Sequence, residues 1–383
     1  MSLFSNYKVE YFSGSAWVQI PELVALDCTV GRKQVTDSWS VSTASFTFRY
    51  PTGFTSPNTA LLVDVGIRFF SPGNTVTAAW TGFIRDVKVT WGMPFQAGVG
   101  EADLLTIDAE GAMGRWGRTD GDGFTPSVAL ANGQLTEVTN HYGLNWNGNL
   151  TSEPVKPVAT EGPLSDWMQT FMNTVQGRLI DGAPRSSFDD VYRQGSVFIF
   201  SNATNLTTLS KFSDVSNDST NAIYNVLDFD TLADNYITRV VTTAPLLADQ
   251  VSSVGSAPFR SFVLETYATD TTQSKNLADY YLASVDDQVV APNAVSVVSG
   301  GQNGTNIDTM NTDIFAFLPA YKTRIQFRGT TVAARIEGAT MRATPEQTRV
   351  TYYLSSAESN PYFILDSADF GVLDQNKLGL YVY

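Results

Sequence analysis

The side chains best suited to bond-making chemistry are scarce in this sequence. His141 is the only histidine and Cys28 the only cysteine among 383 residues. A zinc centre built from His and Cys therefore lacks ligands, and an intrachain disulfide is impossible. A Ser-His-Asp triad would have to use His141, whose neighbourhood, Thr139-Asn-His-Tyr-Gly143, has no nucleophile elbow. The expectation for His141 is a satisfied polar or interface residue. Cys28, within Leu26-Asp-Cys-Thr-Val30, reads as a small core residue.

Carboxylates are plentiful, 38 in all, but poorly organised for catalysis. Asp120-Gly-Asp-Gly123 comes nearest to a calcium loop, yet it lacks the third ligand position and the distal Glu, and it reads as a turn. Asp228 with Asp230, and Asp286 with Asp287, are carboxylate pairs by proximity alone and read as solvated turns. Glycoside hydrolysis needs two carboxyls at a set separation across a cleft, which sequence spacing does not supply. Gly300-Gly-Gln-Asn-Gly304 lacks the Lys-Ser/Thr ending of a phosphate loop. Trp146, between Asn145 and Asn147, is either a sugar-stacking platform or a loop anchor. The reading assigns no catalytic residue, no metal site and no cofactor.

Composition narrows the function classes further. Hydrophobic residues make up 43% and aromatics 12%, enough for real cores in two or more domains. A formal net charge of -14 disfavours a basic surface for nucleic acid or anionic membrane. It is compatible with a negatively lined channel through which nucleic acid slides without sticking. No apolar run approaches the length of a membrane span. The first residues lack the charged and apolar regions of a secretory signal, so folding in a cytoplasm is expected.

The elements available to position any site are mostly strands. Period-two alternation is clearest over 323–354, where Val332, Ala334 and Ile336 fall on one face and Arg335 and Glu337 on the other. A fainter copy lies near the N-terminus. The stretch 65–69 reads like the strand at Arg324, 81–90 like 335–344, and 104–109 like the strand at Arg349. Two similar barrels in one chain follow from that repeat. Residues 7–20 read as a hairpin around Ser13-Gly14-Ser15. One amphipathic helix stands out: Leu164, Trp167, Met168, Phe171, Met172, Val175 and Leu179 form one apolar stripe. Residues 115–125 read as a polar connection and 126–142 as weakly helical. A further helix is expected from Ser274 as cap, with Leu277, Tyr281 and Val285 at four-residue steps, and 234–243 is expected to open the second barrel.

The fold class expected is mainly β (α+β), with two similar small antiparallel β-barrels and inserted mixed α/β domains. The first barrel spans 1–115 and a mixed insertion 116–230, with its amphipathic helix over 163–180. The second barrel takes 231–249 and 314–356, an α/β insertion 250–313, and a C-terminal arm 357–383.

In order along the chain, four stretches resemble the tail-tip hub proteins (baseplate hub, or minor tail protein) of long-tailed bacteriophages, particularly those of actinobacterial phages. They are 45–51 with Val65-Gly-Ile-Arg68; 80–87 with 105–111 and 114–118; the Leu164 helix running into 177–182; and 335–345 with 363–366, 370–374 and 378–379. These are strand-and-turn patterns without a reactive residue, so their order carries the likeness. The resemblance implies a non-enzymatic, homotrimeric ring at the tail tip of a virion. Two barrels per chain would match three subunits to a six-fold tail tube. It further implies contacts with the distal tail protein ring, the tape measure protein and a central fibre or spike, with DNA transiting the lumen without specific binding. The alternatives are a carbohydrate-binding or cell-wall-degrading tail protein and a six-fold distal tail ring component.

Overall fold

The structure is a computed structural model, and it describes residues 7–34, 36–49, 60–70, 78–92, 103–150, 153–181, 196–200, 210–215, 222–229, 237–285, 292–299 and 322–356. The first strands are β1 (Lys8–Phe12), β2 (Trp17–Ile20), β3 (Leu23–Gly31), β4 (Thr43–Arg49), β5 (Gly66–Phe70), β6 (Trp80–Thr90) and β7 (Leu104–Glu110). β4 shows why they form. Every second residue, Ala44, Phe46 and Phe48, is buried, and burying a Phe side chain stabilises by about 1.5–3 kcal/mol. The strands lie in the order β3-β4-β7-β6-β5-β1-β2, with the expected β1–β2 hairpin at one end.

A helical layer follows. It comprises α1 (Ala112–Arg118), β8 (Asp120–Asp122), α2 (Ala131–Tyr142), β9 (Asn145–Asn149), β10 (Glu161–Pro163), α3 (Leu164–Thr174), β11 (Arg178–Ile180) and β12 (Ser196–Phe200). The predicted apolar stripe is buried from Leu164 to Leu179, together with Met113 and Trp116 of α1. The helix itself ends earlier than predicted. Gln176 turns into the left-handed region at φ 50°, and the Gly177 N–H donates to the Met172 carbonyl at 2.9 Å. Leu179 therefore joins the same core from a strand. α1 replaces part of the polar connection expected over 115–125.

The chain then returns to the main sheet through β13 (Ser210–Ser213), β14 (Ala222–Ile223) and β15 (Val226–Phe229). A small lobe is inserted next: β16 (Arg239–Thr243), β17 (Gln250–Ser253), β18 (Ser261–Glu265) and α4 (Thr271–Val285). The stretch expected to open the second barrel is thus corrected. β16 pairs with β17 and β18 in a separate three-stranded sheet, its Val240 packed with Leu264, Ala278 and Tyr281. The expected cap is corrected too. Asp270 Oδ1 accepts the Gln273 N–H at 2.8 Å and opens α4, whereas Ser274 is buried against Thr242, with 2.9 Å between the hydroxyls. The chain ends its described course with β19 (Pro292–Ser299), β20 (Lys322–Phe327), β21 (Thr330–Ala343) and β22 (Thr348–Ser356).

The main sheet has fourteen strands and contains one five-strand unit twice. In space the first unit runs β3-β4-β7-β6-β5 and the second β15-β19-β22-β21-β20, antiparallel throughout. Chain order is the same in both. The long central strand carries a bulge at the same place in each, between Ile84 and Asp86 in β6 and between Ile336 and Gly338 in β21. A bulge shifts the alternation by one residue. Trp80 and Ile84 face the core before it and Val87 and Val89 after it; Ala334 and Ile336 precede it in β21, and Ala339, Met341 and Ala343 follow. Glu337, expected on the wet face, is the bulged residue and is buried.

Neither unit closes into a barrel among the described residues. The edge of β3 that β4 leaves free is taken by β21, so the two units join side to side in one sheet. One core of buried side chains runs through both, from Phe46 and Ile107 to Met341 and Tyr352.

Candidate functional site

Two of the chemically suited residues come together. His141 Nε2 lies 2.9 Å from Asp122 Oδ2, and the Phe124 ring stacks on the imidazole with centroids 4.1 Å apart. The Tyr142 hydroxyl donates to Asp122 Oδ1 at 2.7 Å and lies 2.6 Å from Thr160 Oγ1. These bonds hold an exposed cluster over β8, which is a short strand where a turn was expected. The Tyr142 bond, ahead of the His141 bond, pulls the Asp122 carboxyl down to about 2. In Tyr142→Phe, an NMR pH titration is expected to show the Asp122 midpoint moving up toward the ordinary 3.8; an unmoved midpoint would remove Tyr142 as its cause.

The other candidates are dispersed. Cys28 is buried in β3. Trp146 is half-buried against the helical core, which favours an anchor over a platform. Asp228 sits on β15 rather than in a turn; Asp230, Asp286, Asp287 and Gly300-Gly-Gln-Asn-Gly304 lie outside the described residues. No group of three or more His, Cys, Asp or Glu among the described residues could hold a metal ion. No described helix is long and apolar enough to cross a membrane.

A tightly constrained, buried polar geometry lies instead at the seam between β21 and β3. Six residue pairs, from Gly338 opposite Gly31 to Ala343 opposite Leu26, zip the two units together. At its head, Arg32 Nε donates to Glu337 Oε2 at 2.8 Å, with side chains only 5% and 0% exposed. The Arg32 N–H donates to the Glu337 carbonyl at 3.0 Å, and Ser355 Oγ donates to Glu337 Oε1 at 2.7 Å. The guanidinium also lies 4.1 Å from the Trp39 ring centre and donates to the Asp37 carbonyl. At its foot, Arg342 Nε stands 3.6 Å from Asp27 Oδ1 in solvent. Gly338 is required by space: a Cβ there would fall 2.5 Å from the Arg32 carbonyl oxygen and 2.6 Å from that of Val30.

A second buried carboxylate ties this sheet to the helical layer. Asp181 Oδ2 accepts from the Ser42 N–H at 2.9 Å and the Ser42 hydroxyl at 3.1 Å, and Asp181 Oδ1 from the Met113 N–H at 3.1 Å. Burial outweighs these bonds and pushes its carboxyl up to about 6. The sequence reading singled out neither Arg32 nor Asp181 and placed Glu337 on the wrong face. The available signal was the charged residue beside Gly338 interrupting the apolar alternation.

The seam has open counterparts. In β21 the half that precedes the bulge pairs with β20, and the half that follows pairs, on the same side, with β3. In β6 the half that precedes the bulge pairs with β5, but no described strand pairs with that side of 86–90. β15, the counterpart of β3, pairs only with β19 among the described strands. Exposed apolar side chains border both edges: Leu62 and Val63 beside Ile84, Trp91 at the far end of β6, and Val226 on β15.

No protein-family model matches this chain, and no curated protein is similar to it in sequence. Solved structures are similar in fold. A tail protein from Neisseria meningitidis matches with a TM-score of 0.60 at 10% identity, over 92% of this chain and 97% of that one. The 43 kDa tail protein of prophage MuSo2 from Shewanella oneidensis gives 0.58 at 10% identity, over 92% and 99%. An E. coli component of the type VI secretion system, described as structurally similar to the T4 bacteriophage tail proteins gp27 and gp5, gives 0.50 at 10% identity, over 92% and 78%. The fold of this chain is thus one that phage tail proteins use, matched nearly end to end.

Proposed function

We propose that this protein is a structural hub of a bacteriophage tail tip, without enzymatic activity, in which three copies form a ring around a DNA channel. The observation that carries the tail assignment is the fold likeness over 92% of this chain to tail proteins matched along 97% and 99% of their own lengths. The repeated five-strand unit supports the copy number. Three chains with two units each place six similar modules around an axis, so a three-fold tip can meet a six-fold tube. In this reading the ring abuts the distal tail protein ring and the end of the tape measure, and holds a central fibre or spike. An acidic chain, at -14, suits a lumen that must let DNA pass.

Negative-stain electron microscopy of the purified chain and of tail tips tests this. Rings of three-fold symmetry with a central opening are the expected result. Six-fold rings would move the chain to the distal tail ring. Monomers throughout, with no matching density at the tip, would overturn the structural reading and favour glycan binding or hydrolysis.

A further inference from the structure

We infer that copies of this chain join head to tail, with the part of β6 that follows the bulge in one copy pairing antiparallel with β15 of the next. This reproduces between chains the seam that β21 and β3 make within one. The inference rests on the tail-tip reading for the number of copies and on the internal repeat for the contact.

The repeat fixes the register. Aligning the two bulges sets Thr90 of β6 at the place of Arg342 in β21, and Trp91 at the place of Ala343. Leu26 opposes Phe46, which opposes Ile107; Leu227 opposes Val295, which opposes Tyr352. Leu227 and Asp228 therefore stand where Leu26 and Asp27 stand in the first unit. Within the chain, Asp27 is opposite Arg342. Transferred to two copies, Thr90 comes opposite Asp228 of the next copy. Lys88, two residues along on the same exposed face of β6, lies diagonal to that carboxylate and supplies the positive charge that Arg342 supplies in the seam. The acidic member is thus present at both places, on equivalent strands.

The surface around these edges fits a dry contact. Leu62 and Val63 are 58% and 63% exposed and Trp91 60%, at the two ends of the stretch of β6 that no described strand pairs on that side. An unpaired strand bordered by large apolar side chains is a template for another strand and a hazard if left bare. A second copy of this chain is the occupant to which the repeat points, because the equivalent strands, β21 and β3, make the internal seam. The two edges lie on different units, so the contact is heterologous, and three copies that close on themselves make a ring.

The test uses the full chain carrying Thr90→Cys and Asp228→Cys. Both positions are exposed, and the native thiol, Cys28, is buried. Oxidation is followed on non-reducing gels and native mass spectrometry gives the assembly mass. A covalent ladder ending at three chains is expected, absent from Thr90→Cys with Leu227→Cys, because a shift of one residue points the second side chain to the other face. A ladder ending at six would support the pairing and overturn the three-fold hub. Three-fold particles that form no cross-link would overturn the pairing and leave the hub standing. Monomers without cross-links at the highest attainable concentration would overturn the pairing and count against the hub.

Discussion

Replacing Arg32 by alanine is expected to destabilise the fold by about 3–5 kcal/mol, because it takes a hydrogen-bonded counter-charge away from a buried carboxylate. Glu337 is 0% exposed, so water cannot take over from the guanidinium. Ser355 would remain as a donor, but it reaches the other carboxylate oxygen. The loss is local to the seam. It falls at the bulge, where β21 passes from β20 to β3, and Arg32 also carries the backbone bond to the Glu337 carbonyl. Arg32→Lys is expected to recover only part of the loss, since an ammonium cannot lie flat on Trp39 while bonding Glu337. Arg32→Met combined with Glu337→Leu removes both charges and is expected to recover most of it. Urea unfolding followed by tryptophan fluorescence measures all three. A loss under about 1 kcal/mol in Arg32→Ala, the range of a solvated surface pair, would show that the seam is wet.

The second large effect is a pH dependence carried by Asp181. Its carboxyl titrates at about 6 in the fold against an ordinary 3.8, because burial outweighs the N–H and hydroxyl donors that favour the anion. The folded state therefore binds the proton more tightly than the unfolded chain. The stability that this gives is full below pH 3.8 and is lost as pH rises through about 6. The difference corresponds to roughly 3 kcal/mol. Asp181→Asn cannot titrate. Its unfolding free energy relative to the native chain is expected to improve by most of that amount, about 2 kcal/mol, between pH 4 and pH 7. A difference that stays flat across this window would show that Asp181 is ionised and solvated at neutral pH. The same variant turns an amide NH2 toward donors, so an overall loss at low pH is also expected.

The sequence made some of this legible and hid the rest for physical reasons. The stripe from Leu164 to Phe171 predicts its helix because every member repeats at three or four residues on one buried face. It overran at Leu179 because burial is shared by whatever chain reaches the core, helical or not. The repeat was visible in β5–β7 and β20–β22, three successive strands of similar length. Its first two strands were not, because the lobe between β15 and β19 separates them in the second unit and only a short connection does so in the first. β16 alternates as a barrel strand would. Alternation reports a half-buried sheet, however, and does not say which sheet. Arg32 and Glu337 lie 305 positions apart, and no local pattern announces such a partner. Asp181 is similar: its donors come from the chain before β4 and from the start of α1, 139 and 68 positions away.

Cys28 lies on β3 opposite Met341, inside the seam, and it is the chain's only thiol. Burial, aided by the nearby charges of Asp27 and Asp181, raises its pKa well above the usual value, so the folded thiol is both covered and protonated. Alkylation must wait for the core over this part of the sheet to open. The molecule thus contains a clock: the rate at which a dilute alkylating agent consumes the sulfur reads how often the core shared by the two units opens around the seam.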